Sequence, residues 1–135
     1  MENKILKIIL GLIVAIAILH TVAIYFYLYY ELWWFDILMH FVGGFWTVLF
    51  FLWLLVFSGA FLLDVERKNP AILSFLATSF LVIVAVFWEI FELKFGLTSL
   101  NDFDYIQDTV SDIFSAFAGG LLASLFFFRK VFKNF

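Results

Sequence analysis

Three pairs of ionisable residues recur at helical spacing: Asp36 and His40 at i,i+4, Glu89 and Glu92 at i,i+3, and Asp108 and Asp112 at i,i+4. On a helix the two members of each pair share a face. Five carboxylates beside one imidazole can hold a divalent cation, relay protons, or act as general acid and base, with Glu89 and Glu92 as the candidate bases. The chain has no cysteine, so any metal site must be built from oxygen and nitrogen. The candidate ligands are Asp36, His40, Glu89, Glu92, Asp108 and Asp112, and this donor set suits Zn, Mn, Mg or Fe better than Cu(I).

The elements that must position these residues belong in lipid. Of 135 residues, 66% are hydrophobic and 14% charged, with 21 Phe and 5 Trp, and a soluble surface cannot be assembled from that balance. Eight Lys and Arg in a chain of net charge −3 leave no basic stripe for a nucleic-acid backbone, so nucleic acid is excluded as a partner. Four apolar stretches, about 5–30, 37–63, 71–93 and 105–128, each approach or exceed the ~20 residues a spanning helix needs. The first resembles a signal peptide, with Lys4 and Lys7 ahead of Ala15-Ile16-Ala17, but it runs on to Tyr30 and is read as a span. Short breaks between the stretches suit antiparallel neighbours. The expected fold is an all-α, polytopic four-helix up-down membrane bundle, a single membrane domain over 1–135.

Charge sets the expected orientation. With four spans, Lys4, Lys7, Arg67, Lys68, Arg129, Lys130 and Lys133 fall on one side and Lys94 alone on the other, which predicts a multi-pass protein of the cell membrane with both termini cytoplasmic. The acids are skewed the opposite way. The three pairs lie within about two turns, ~10 Å, of the helix ends on the outer side. A carboxylate facing lipid is costly, so these faces should turn inward and meet. Either several acids then stay protonated or a cation sits among them.

Other polar and small residues have simpler expected roles. Asp36 and Asp108 sit where helix caps and dipole partners belong. Ser111, Ser115, Gly119 and Ala123 recur every fourth residue, and with Gly43-Gly44 they predict close helix packing. His20, expected ~15 Å from Tyr30, is read as a hydrogen-bonding residue between helices. Trp33, Trp34 and the aromatic run Tyr25 to Tyr30 predict an interfacial belt, and Arg129, Lys130 and Lys133 an anchor to lipid headgroups. Four narrow helices also invite homo-oligomerisation.

Phe35-Asp36 with His40-Phe41 and Gly44, Trp88-Glu89 with Glu92, and Asp108 with Asp112 and Gly119 cover the last three stretches in order. Together they resemble small bacterial membrane proteins of the YjdF type, distantly VanZ-like. The resemblance implies a membrane fold with a polar site, and its VanZ-like side implies a setting in the cell envelope. Gln107 departs from the pattern, where an aromatic often precedes the first Asp. Asp104, Asp108 and Asp112 also resemble the aspartate-rich helices of membrane prenyltransferases and CDP-alcohol phosphotransferases, although the Arg-containing signature of the latter is absent.

The resulting expectation is an outward-facing carboxylate/His site that binds a divalent metal and acts by hydrolysis or transfer on a lipid-linked envelope substrate. The alternatives from other classes are an ion or proton transporter, and a non-catalytic partner protein whose acids serve as packing glue. No nucleophile elbow is present to support a covalent serine mechanism.

Overall fold

The computed structural model describes residues 2–58, 69–95 and 103–132. Among them every regular element is helical: α1 (Glu2–Tyr25), α2 (Leu28–Glu31), α3 (Trp33–Phe57), α4 (Pro70–Phe95) and α5 (Tyr105–Val131). Four of these, all but the single turn α2, are long and apolar enough to cross a bilayer. Large exposed side chains such as Phe75, Phe114 and Leu121 form the outer surface that such a solvent requires.

Local chemistry sets several boundaries. Asn69 Oδ1 accepts from the Ala71 N–H at 3.0 Å and the Ile72 N–H at 3.4 Å, and Pro70 opens α4 where its missing N–H is no loss. Arg129 and Lys130 close α5, complementing the negative end of its dipole. Asp36 and Asp108 do not cap. They lie in the first turns of α3 and α5, whose capping residues are Leu32 and Asp104, neither with a side-chain cap bond.

The first apolar stretch differs from its expected form. It does not run as one helix to Tyr30: α1 ends at Tyr25, and Tyr27 takes a left-handed backbone at φ 57° before the short turn α2. A non-glycine residue seldom adopts this conformation, and here it turns the chain back toward α1. The second stretch also differs, since α3 starts earlier, at Trp33, and ends at Phe57. The remainder of its expected length, to Leu63, lies outside the described residues.

Helices α3 and α5 run parallel and form the centre of the bundle. Ser115 Oγ donates to the Ile37 carbonyl at 2.5 Å near their starts, and Phe57 meets Phe127 edge-on near their ends. Helices α1 and α4 run the other way on either side of α3: Trp46 Nε1 donates to the Ile9 carbonyl at 3.0 Å, and Phe51 stacks on Phe80. Between them, Leu49, Leu52, Leu73 and Phe127 are fully buried.

In lipid, apolar burial gives little drive for helix association, so close backbone packing must supply it. A Cβ at Gly44 would run into the Ala116 carbonyl, one at Gly119 into the Phe41 carbonyl, and one at Gly120 into the side chains of Leu81 and Val48. The small residues therefore serve the packing role read from their spacing. Gly43, beside Gly44, has nothing within 4 Å of an added Cβ. Gly44→Ala should accordingly lower stability by about 1–3 kcal/mol through overpacking. Gly43→Ala should be neutral or slightly stabilising. Melting followed in detergent checks the contrast, and equal melting of the two variants would contradict the close approach.

Candidate functional site

Asp36, His40 and Gly44 follow one another at i,i+4 on α3, as do Asp112, Ala116 and Gly120 on α5. Because Gly44 lies against Ala116, the side chains one turn nearer the helix starts, His40 and Asp112, are brought face to face. His40 Nε2 stands 3.5 Å from Asp36 Oδ1, 3.8 Å from Asp112 Oδ2 and 4.0 Å from Glu92 Oε1. Three helices thus place carboxylate oxygens around one imidazole nitrogen.

Asp36, His40 and Asp112 each offer one ligand atom, all within 4.8 Å of one another. Donors bound at ~2.0–2.2 Å to a single ion stand at most ~4.4 Å apart, so a small inward adjustment of these side chains would let the three share one ion. Asp112 is 2% exposed, yet its Oδ1 has no hydrogen-bond partner, and neither does the buried His40 Nε2. A buried polar atom left unpaired is costly, and two of them face the same small space. Trp53 Nε1 is also unpartnered, but it lies several turns away, toward the other end of α3.

Hydrogen bonds place the other acids. Glu92 Oε1 accepts from Trp88 Nε1 at 2.8 Å, which holds the carboxylate beside His40. Glu89 Oε2 accepts from Thr109 Oγ1 at 3.0 Å, linking α4 to α5 next to the ligand group rather than within it. Asp108 lies at the exposed start of α5 and is likewise outside the group of three.

Two aromatic residues lie against the site: Tyr29, whose place in the aromatic run suggested an interface, and Trp88, which precedes Glu92 by one turn. Tyr29, carried back by the turn after α1, shares a 2.7 Å hydrogen bond with His20 Nδ1. His20 therefore bonds α2, not a neighbouring spanning helix. Its ring also meets that of Trp88 at 5.9 Å, edge to face. Tyr25, Tyr27, Tyr30 and Trp33 are exposed. The available signals were Trp88 one turn before Glu92, and an aromatic run too long for a simple helix end. Below Asp36 and His40 a cavity of about 210 Å³ extends among α1, α3 and α4, with largely apolar walls.

Four apolar helices with a buried acid/imidazole cluster at one end define a polytopic, all-helical membrane protein. The chain belongs to the family described as "Predicted membrane protein (DUF2238)", whose model matches residues 2–133, the family of the YjdF-type proteins. No curated protein and no solved structure matches it.

Burial of the Tyr29 phenol, and then the negative charge of Asp36 and Glu92, holds its ionisation well above the ordinary phenol range. The protonated form is the favoured one. In a titration followed at 295 nm, the difference between wild type and Tyr29→Phe should stay flat through pH ~10, where unperturbed phenols ionise. A tyrosinate signal from Tyr29 in that range would contradict its placement.

Proposed function

We propose that this protein binds a divalent transition-metal ion through Asp36, His40 and Asp112, with Glu92 beside them, and uses the ion on a lipid-linked substrate of the cell envelope. The supporting observation is the pair of buried, unpartnered atoms, His40 Nε2 and Asp112 Oδ1, among converging carboxylates. A cation would give both atoms a partner and offset the charge of the acids. Imidazole in the donor set favours Zn, Mn or Fe over Mg. When bound, such an ion polarises a phosphate or ester and lowers the pKa of water. Glu92, oriented by Trp88, is the better placed general base, whereas Glu89 and Asp108 attract cations toward the mouth of the site.

The envelope setting rests on the VanZ-like side of the resemblance. The outward orientation rests on the distribution of Lys and Arg. Against a transporter stands the composition of the bundle beyond the site: among the described residues, the buried polar side chains other than Asp112 of the cluster are Thr47 and Ser115.

Purified protein should carry close to one Zn, Mn or Fe per chain, and a chelator should lower its melting temperature. Asp112→Ala and His40→Ala should lose the ion and the chelator effect while remaining folded. Trp88→Phe, which frees Glu92, should weaken metal affinity about 10–100-fold. A wild-type protein that contains no metal and melts identically with and without chelator refutes the reading.

Orientation has a separate check, made simple by the absence of native cysteine. Phe103→Cys and Asn69→Cys both place a thiol at an exposed position, at opposite ends of the bundle. An impermeant maleimide on intact cells should label the first, and the second only after permeabilisation. The reverse pattern would overturn the assignment of the termini to the cytoplasm.

A further inference from the structure

The cavity beneath the acid/imidazole cluster carries its ionisable residues at one end, and deeper in its lining is apolar apart from Thr47 and Trp46. Asp36, His40, His20 and Tyr29 line that end, and Ile13, Ile16, Met39, Leu81, Val84 and Ala85 line the rest of its length. Its floor is α3, its walls are α1 and α4. Those two walls do not pack against each other along their length, and the ring contact between them is His20 on Trp88, at the polar end. Beyond that contact the seam between α1 and α4 lies at the depth of the hydrocarbon, where lipid chains are the available filler.

We infer that this cavity takes one hydrocarbon chain of a membrane lipid, entering through the seam between α1 and α4, with the lipid's anionic head at Asp36, His40 and Asp112. The volume of about 210 Å³ is below the ~300–1,000 Å³ of pockets for drug-sized ligands, so it suits a segment of one flexible chain, the remainder of which stays in the seam. An apolar cavity has no partners for ordered water, whereas a chain fills it without leaving polar atoms unpaired. The head requires more. Asp36, Glu92 and Asp112 repel a bare anion, so head binding rests on the divalent cation proposed above, which would bridge the acids and the head.

The probe is phosphatidylglycerol carrying a diazirine at mid-chain, photolysed in phosphatidylcholine vesicles containing the full-length protein loaded with Mn²⁺, with adducts mapped by mass spectrometry. Adducts are expected on Ile16, Val84 and Ala85, reduced at least fivefold by Ala85→Phe, which fills the cavity, and unchanged by Val86→Phe, which adds the same bulk on the exposed side of α4. The Mn²⁺-induced melting shift should survive in both variants, which also shows that they fold. Chelator should reduce the cavity adducts of wild type.

A retained Mn²⁺ shift with adducts only on exposed residues such as Val86 overturns the chain-binding inference and leaves the metal reading standing. Cavity adducts that ignore chelator, in protein with a normal Mn²⁺ shift, overturn the bridged head. Cavity adducts in protein without any Mn²⁺ response support the chain pocket and overturn both the bridged head and the metal reading.

Discussion

The contact of α3 with α5, backbone against backbone, is the constraint on which the rest of the structure depends. Gly44 meets the Ala116 carbonyl and Gly119 meets the Phe41 carbonyl, and neither approach tolerates a Cβ. In hydrocarbon a large side chain gains nothing by leaving lipid for protein, so stability must come from dispersion between surfaces that fit closely. Small residues at every fourth position provide such a surface. They also fix the rotation and depth of both helices, and so the positions of everything one turn away. His40 precedes Gly44 by four residues and Asp112 precedes Ala116 by four, hence the two side chains meet at the same level.

That arrangement opposes the ordinary preference of the solvent. Carboxylates in a low-dielectric region repel one another strongly, and the His40 Nε2 buried among them without a hydrogen-bond partner leaves a donor or lone pair unused. Packing alone does not call for this: the same helices could meet through small and apolar residues up to their ends, as they do from Gly44 onward. Hydrogen bonds from Trp88 to Glu92 and from Thr109 to Glu89 hold the surrounding acids in place. Such orienting contacts are expected of a site kept ready for a ligand, because ligand carboxylates are usually held by further hydrogen bonds.

The spanning helices were legible in the sequence because hydropathy over ~20 residues is a direct measure of what lipid accepts. The break at Tyr27 was not. A left-handed residue is usually announced by glycine or asparagine, and here a tyrosine adopts it inside an aromatic run that reads as uninterrupted span. Without that break Tyr29 reads as part of the belt, whereas the turn carries it back against His20. The acid pairs were visible from their spacing, which shows that two residues share a face but not which way the face points. Only the rotation set by Gly44 and Gly119 distinguishes Asp36, His40 and Asp112, which converge, from Asp108, at the exposed start of α5. Trp88 was visible only as a neighbour of Glu92 at i,i+4, and Thr109 carried no signal of its own, since its role arises from contact with Glu89 on another helix.

The same α3–α5 contact bears on what the site can do. A conducting path needs polar groups or water at successive depths, because an ion leaving one coordination shell must find another. Below His40 the bundle narrows to Gly44 against Ala116, and farther along to Leu49, Leu52 and Phe127, all fully buried. The space that does continue from the site turns aside between α1 and α4 and is lined by Ile16, Leu81 and Val84. The seal that positions the cluster therefore also closes the axial route through the bundle, and what remains open to the site is its own helix-end mouth and an apolar recess. A centre with those two approaches is suited to a molecule that is itself polar at one end and hydrocarbon along its length.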